Sequence, residues 1–91
     1  MKEKDFENLC RLEARRRGFV AVKVEKNGHT GIPDDLFLSP DGRYFFVEFK
    51  RPDGRGRFSS AQKRWQSRLE KRCFSVQNYE YFLDVLEMFE S

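Results

Sequence analysis

The chain has 91 residues, 18 of them Lys or Arg and 15 Asp or Glu, for a net charge of +3. That length supports one domain with one modest core, taken here as residues 1–91. No run approaches the ~18 apolar residues of a membrane span, and the charged start MKEKDFENLC lacks an apolar export segment, so a cytoplasmic protein is expected.

Residues 3–17 are predicted as a helix, because Phe6, Leu9, Cys10 and Ala14 recur at helical spacing and Gly18 stops the run. FVAVKVEK, residues 19–26, is β-branched and reads as a strand. NGHTGIP, residues 27–33, is a Gly-rich loop. Two hairpin strands follow, residues 34–39 and 43–51, and RPDGRGR, residues 51–57, is a polar connection. Ser59 and Gln62 have the spacing of a capping box, so a second helix starts there and runs to about Arg72, burying Ala61, Trp65 and Leu69. CFSVQ, residues 73–77, is a fourth strand, and Asn78 caps a last helix to about Glu90. The order is αβββαβα, an α/β fold with a mixed sheet flanked by helices. Cys10 and Cys73 have no CxxC spacing and His29 has no local partners, which argues against zinc and for a reduced protein.

The turn sets the hairpin register. Pro40 suits the first corner of a type I turn, Asp41 the next position, and Gly42 the left-handed residue that closes the loop with a bulge. Ser39 then pairs with Arg43, Leu38 with Tyr44, Leu36 with Phe46, and Asp34 with Glu48. Opposed residues share a face. Asp34 and Glu48 therefore lie together, while Asp35 points to the other face beside Val47. Lys50 follows Glu48 on the same face, about 6.6–6.8 Å along the strand.

Two carboxylates and a lysine thus meet at one end of a buried sheet. Opposed carboxylates repel, and burying them unpaired costs several kcal/mol. Three arrangements relieve this: an ion pair with Lys50, a carboxyl that keeps its proton, or a bound divalent cation. All-oxygen ligands suit Mg²⁺ or Mn²⁺.

GIPDD followed by VEFK resembles the PD-(D/E)xK nuclease signature. GIPD, then EFK, then SSAQKRW is similar more narrowly to the VRR-NUC family of virus-type replication and repair nucleases, over about residue 3 to Leu69. ENLCRLEARRRGFVAVKV also resembles the archaeal Holliday-junction resolvases. The resemblance implies a restriction-endonuclease-like fold and a stand-alone, phage-like nuclease that uses Mg²⁺ or Mn²⁺. It implies metal ligands at Asp34, Glu48 and the Phe49 backbone carbonyl, with Glu7 or Glu3 as a further ligand; solvation of the helix surface is the other reading of those two. It implies that Lys50 activates the attacking water and that Gln62 joins it in the catalytic set; service in the capping box alone is the other reading of Gln62, and the two roles can coexist. Asp35 departs from the family pattern, which has an apolar residue after PD.

Ten Lys or Arg face three acids between Arg43 and Arg72, whereas Cys73–Ser91 holds four acids and no Lys or Arg. A basic centre fits a polyanion. Arg51, Arg55, Arg57, Arg64 and Arg68 are candidate phosphate contacts, and Lys23, Lys26 and His29 are placed with them as DNA-binding, a lone surface histidine being the other reading of His29. Nothing resembles a base-reading motif, so shape and backbone recognition are expected. The last helix is apolar over a wide arc, and Tyr81, Val85 and Met88 are expected at a homodimer interface, with a deeply wrapped core helix as the other reading of that arc. The leading reading is a structure-selective DNA endonuclease acting on branches such as Holliday junctions. A restriction-like or RNA-cleaving nuclease, a non-catalytic nucleic-acid-binding module on a nuclease scaffold, and a small dimerising adaptor are the alternatives.

Overall fold

The computed structural model describes residues 2–26, 28–50 and 58–90, the side chain of Glu3 excepted. Helix α1 spans Glu3–Arg16, and the chain turns at Gly18, φ +88°, where a side chain would be strained. Strand β1 is Val20–Lys23, β2 is Asp35–Leu38 and β3 is Tyr44–Phe49. Helix α2, Ser60–Leu69, runs into a 3₁₀ turn at Glu70–Arg72. Strand β4, Cys73–Val76, leads to helix α3, Tyr79–Phe89. The αβββαβα order is as expected, with β1 shorter than the apolar run and α2 stopping before Arg72.

The four strands lie in the order β1-β2-β3-β4. The first three are antiparallel and β3 pairs parallel to β4, so the sheet is mixed. The hairpin register is the one its turn dictates. Leu38 faces Tyr44, Leu36 faces Phe46 and Asp35 faces Val47. The Gly42 N–H donates to the Ser39 carbonyl at 3.0 Å, and Gly42 has φ +89°.

One sheet face carries the core. Phe37, Phe45, Val47, Phe49 and Val76 pack there against Phe6, Cys10 and Ala14 of α1 and Phe82, Val85, Leu86 and Phe89 of α3. The rings stack and tilt, Phe45 on Phe89 at 4.5 Å and Phe37 on Phe45 at 5.3 Å between centroids. Asn78 caps α3 by accepting the Tyr81 N–H at 2.8 Å. Arg43 closes the other end, donating to the Phe89 carbonyl at 2.9 Å.

Two packing expectations need correction. Val85 is fully buried at 0 % exposure, while Tyr81 and Met88 stand at 39 % and 52 %. Helix α3 touches α1 as well as the sheet, so its core stripe is wider than one sheet face requires, and Val85 belongs to that stripe rather than to an interface. The residues of α2 facing the sheet, Ala61, Trp65 and Leu69, are half-buried and none is core. Helix α2 meets the opposite face of the sheet at β4. Val20, Val22 and Tyr44 on that face stay exposed.

Candidate active site

The site forms where the ends of β2 and β3 meet the first turn of α2. Strand alternation puts Glu48 on the α2 side, because it pairs with Ser75, which accepts a bond from Gln66 of α2 at 2.7 Å. Asp34 lies one residue before β2. Its Oδ2 accepts the Phe49 N–H at 2.9 Å, which ties the aspartate to the end of β3. Its Oδ1 accepts from Lys26 Nζ at 3.0 Å. The ladder extends past β1 through the Val24 N–H, which donates to the Asp34 carbonyl at 2.8 Å, and this carries Lys26 alongside.

Glu48 is 5 % exposed. Its Oε1 accepts from Gln62 Nε2 at 2.8 Å. Its Oε2 is buried and lacks a hydrogen-bond partner among the described residues. Gln62 also completes the capping box: its backbone N–H donates to Ser59 Oγ at 3.1 Å, and its Oε1 accepts the Ser59 N–H at 2.8 Å. Lys50 Nζ donates to the same Oε1 at 3.2 Å and sits 4.1 Å from the Phe58 ring centre. Two donors on Oε1 fix the amide so that Nε2 must face Glu48. The cap that starts α2 therefore also orients the glutamine in the site.

Burial and the nearby charge of Asp34 push the Glu48 carboxyl from its ordinary 4.5 up to about 7, against the opposing pull of Lys26, Lys50 and Gln62. For Lys26, burial opposes the charge, but Asp34, Glu48 and Glu7 outweigh it and its pKa rises. The Glu48 shift has a defined sign for stability. Below 4.5 both folded and unfolded chains hold the proton; between 4.5 and about 7 only the folded chain does, so stability falls as pH rises through that window and is flat above it. Glu48→Gln should remove this slope and make the metal-free protein more stable than wild type at pH 8 and no more stable at pH 4. Urea unfolding at a series of pH values measures it, and parallel curves would contradict it.

Gly31 brings the preceding loop onto α2. Its φ is +84°, and a Cβ there would lie 2.6 Å from both the Ala61 carbonyl carbon and the Gln62 nitrogen. Any side chain pushes on the backbone turn that holds Gln62. Gly31→Ala should cost about 1–3 kcal/mol from the backbone conformation alone, plus the displacement of α2. Denaturation should register the loss, and a variant as stable as wild type would show that the turn yields freely. His29, in the same loop, rests edge-on against Trp65 at 5.9 Å between ring centres.

Asp35 is on the other face, as the register requires, with 0 % exposure. Arg11 of α1 grips it with two bonds, Nε to Oδ2 at 2.7 Å and Nη2 to Oδ1 at 2.8 Å. Arg11 Nη2 also donates to Glu7 Oε1 at 3.0 Å. Among the described residues no three His, Cys, Asp or Glu side chains gather so as to hold a metal ion. Glu7 accepts from the same Arg11 that binds Asp35 and also acts on the charge of Lys26; the Glu3 side chain lies outside the described residues. Arg64 and Arg68 are exposed along α2 and Lys23 is exposed on β1. Arg51, Arg55 and Arg57 lie outside the described residues. Sequence reading missed Arg11 altogether and did not foresee the bond from Lys26 to Asp34. The signal for Arg11 was there: an acid on a core-facing strand position demands a cation, and Arg11 is four residues from Glu7.

No protein-family model matches the chain. Over 52 residues it is 36% identical to a protein of Acyrthosiphon pisum secondary endosymbiont phage 1 named "Putative nuclease p44". That match covers 57% of this chain and 56% of the phage protein, so the chain spans little more than half of its relative. No helix among the described residues is long and apolar enough to cross a membrane. A solved structure described as a VRR_NUC domain superposes with a TM-score of 0.81 at 24% identity, covering 96% of each chain. The mixed four-stranded sheet between helices is therefore the fold of a VRR_NUC domain.

Proposed function

We propose that this chain is a single-domain Mg²⁺- or Mn²⁺-dependent endonuclease that hydrolyses phosphodiester bonds of DNA, preferring branched DNA such as a four-way junction, and that it works in the cytoplasm as a homodimer. The observation that carries the reading is the state of the two carboxylates. Each has one oxygen fixed by a neutral donor, Asp34 Oδ2 by the Phe49 N–H and Glu48 Oε1 by Gln62. Each has a second oxygen suited to a cation: Asp34 Oδ1 already holds an ammonium, and Glu48 Oε2 is buried with no hydrogen-bond partner among the described residues. A buried oxygen with no hydrogen bond among the described residues, on a carboxylate that feels the charge of an aspartate already holding a cation, fits a hard divalent ion.

Asp34 and Glu48 would hold the ion, with the Phe49 carbonyl as the further ligand expected from sequence. When bound, such an ion lowers the pKa of water and polarises a phosphoryl oxygen. Lys50, held by Gln62, brings a positive charge to the same end of the sheet and stabilises negative charge as the water oxygen bonds to phosphorus and the bond to the leaving oxygen breaks. Gln62 orients both Glu48 and Lys50. Arg64 and Arg68 are exposed for backbone phosphates, and their contacts carry no base information. For the dimer, Tyr81 and Met88 remain exposed on α3, without Val85.

Labelled four-way junction, flap, duplex and single-stranded DNA, each incubated with Mg²⁺, Mn²⁺ or EDTA, test the reading. Cleavage should need the cation, be fastest on the junction, and coincide with a light-scattering mass near twice that of the chain. Cleavage that survives EDTA, or no cleavage of any DNA with either cation, would overturn the metal-nuclease reading. A monomer that still makes paired cuts would overturn the dimer alone.

A further inference from the structure

We propose that Lys26 is an internal cation that stands in the metal position on Asp34 and gives way when a divalent ion binds, so that it sets how tightly the site takes metal. The inference rests on the reading of Asp34 and Glu48 as metal ligands. The two oxygens of Asp34 are held differently. Oδ2 accepts from the Phe49 backbone at 2.9 Å, a bond that strand pairing fixes in place. Oδ1 accepts from Lys26 Nζ at 3.0 Å, at the end of a flexible four-carbon stem whose side chain is 47 % exposed. A ligand seeking Asp34 can displace only the second.

Lys26 is placed for this by the sheet. Val24 pairs with the Asp34 backbone at 2.8 Å, and Lys26 lies two residues beyond, on the continuation of β1. It meets the combined field of Asp34, Glu48 and Glu7. Without it, Asp34 Oδ1 would lose its ammonium partner while the Asp34 charge still acts on Glu48. One positive charge on Oδ1 offsets that repulsion in part. It leaves Glu48 Oε2 without a hydrogen bond among the described residues, whereas a doubly charged ion held by Asp34 and Glu48 would offset the charge of both. Competition follows: whatever Lys26 contributes to the metal-free site must be given up when metal binds.

Calorimetric titration of metal-free protein with MnCl₂ tests it. A half-exposed ion pair is a weak competitor, so Lys26→Met should tighten Mn²⁺ binding by about two- to fivefold. Lys26→Arg should keep the wild-type affinity or weaken binding, and Lys71→Met, which removes the same charge elsewhere, should change nothing. In the absence of metal Lys26→Met should also melt at a lower temperature than wild type, and saturating Mn²⁺ should abolish that difference, because the bound state holds no Lys26–Asp34 pair in either protein. Unchanged or weaker Mn²⁺ binding by Lys26→Met, in a protein whose Asp34→Asn variant loses binding, overturns the role of Lys26 and leaves the metal site standing. A wild type that binds no Mn²⁺ overturns both.

Discussion

Arg11→Ala should destabilise the protein by about 3–5 kcal/mol, the cost of breaking a buried ion pair from one side. Asp35 has 0 % exposure, sits on the core face between the hairpin and α1, and receives both of its strong bonds from Arg11. Removing the guanidinium leaves a carboxylate in an apolar layer with nothing to replace water. A domain of this size is stable by about 5–15 kcal/mol in all, so the variant should be partly unfolded at physiological temperature. The loss belongs to the uncompensated charge rather than to the pair itself. Arg11→Met combined with Asp35→Leu should therefore recover most of the stability, since apolar replacement of buried pairs is often neutral or favourable. Urea denaturation of the single and double variants decides it. A single-variant loss below about 1 kcal/mol would mean that water or Glu7 rescues Asp35, and a double variant as unstable as the single would mean that the pair specifies how α1 crosses the sheet.

The pair also explains why two adjacent aspartates have unrelated roles. Strand alternation sends Asp34 toward α2 and Asp35 toward α1, so one joins the candidate site and the other binds the layers together. That division could be read from the sequence because the turn Pro40-Asp41-Gly42 fixes the register and the register fixes the faces. The same holds for Gln62, whose cap spacing from Ser59 is local, and for Asn78. What could not be read depends on where helices cross. Arg11 meets Asp35 only because α1 lies over the end of β2, and no periodicity within α1 states that. The wide apolar arc of α3 looks like surplus until α1 is placed against it, and then Val85 is core. The half-buried face of α2 has the opposite cause. Its pattern is that of a buried helix, yet it covers only one edge of its sheet face, so Trp65 is left to meet His29. Lys26 belongs to the same class: a basic residue after a strand reads as a solvent or phosphate contact until the ladder beyond Val24 brings it to Asp34.

Three alanine variants should separate the chemistry of the site into parts. Asp34→Ala and Glu48→Ala should lower cleavage by at least about 10³-fold, because the several kcal/mol that a metal ion contributes to the transition state amount to tenfold per ~1.4 kcal/mol. Both should also lose Mn²⁺ affinity. Lys50→Ala should lower cleavage on the order of 10²–10³-fold, the range for removing one preorganised group that meets developing charge, with Mn²⁺ affinity retained. Its Nζ is held by Gln62, whereas the ion would sit on the carboxylates, and that separation predicts the split between chemistry and metal binding. Arg64→Ala and Arg68→Ala should behave in the reverse sense. Their side chains are exposed on α2, so removing them should weaken binding to every DNA alike and make its dependence on salt shallower by about 0.9 in log–log slope for each phosphate no longer neutralised. Calorimetry with Mn²⁺, filter binding across a salt series and single-turnover cleavage together assign each residue. Metal affinity carried by Asp35 instead of Asp34 would contradict the site, since it would require an ion on the α1 face, where Arg11 already holds both oxygens. An equal drop in DNA binding for Lys50→Ala would move that lysine to the phosphate-binding group and leave the attacking water without its proposed partner.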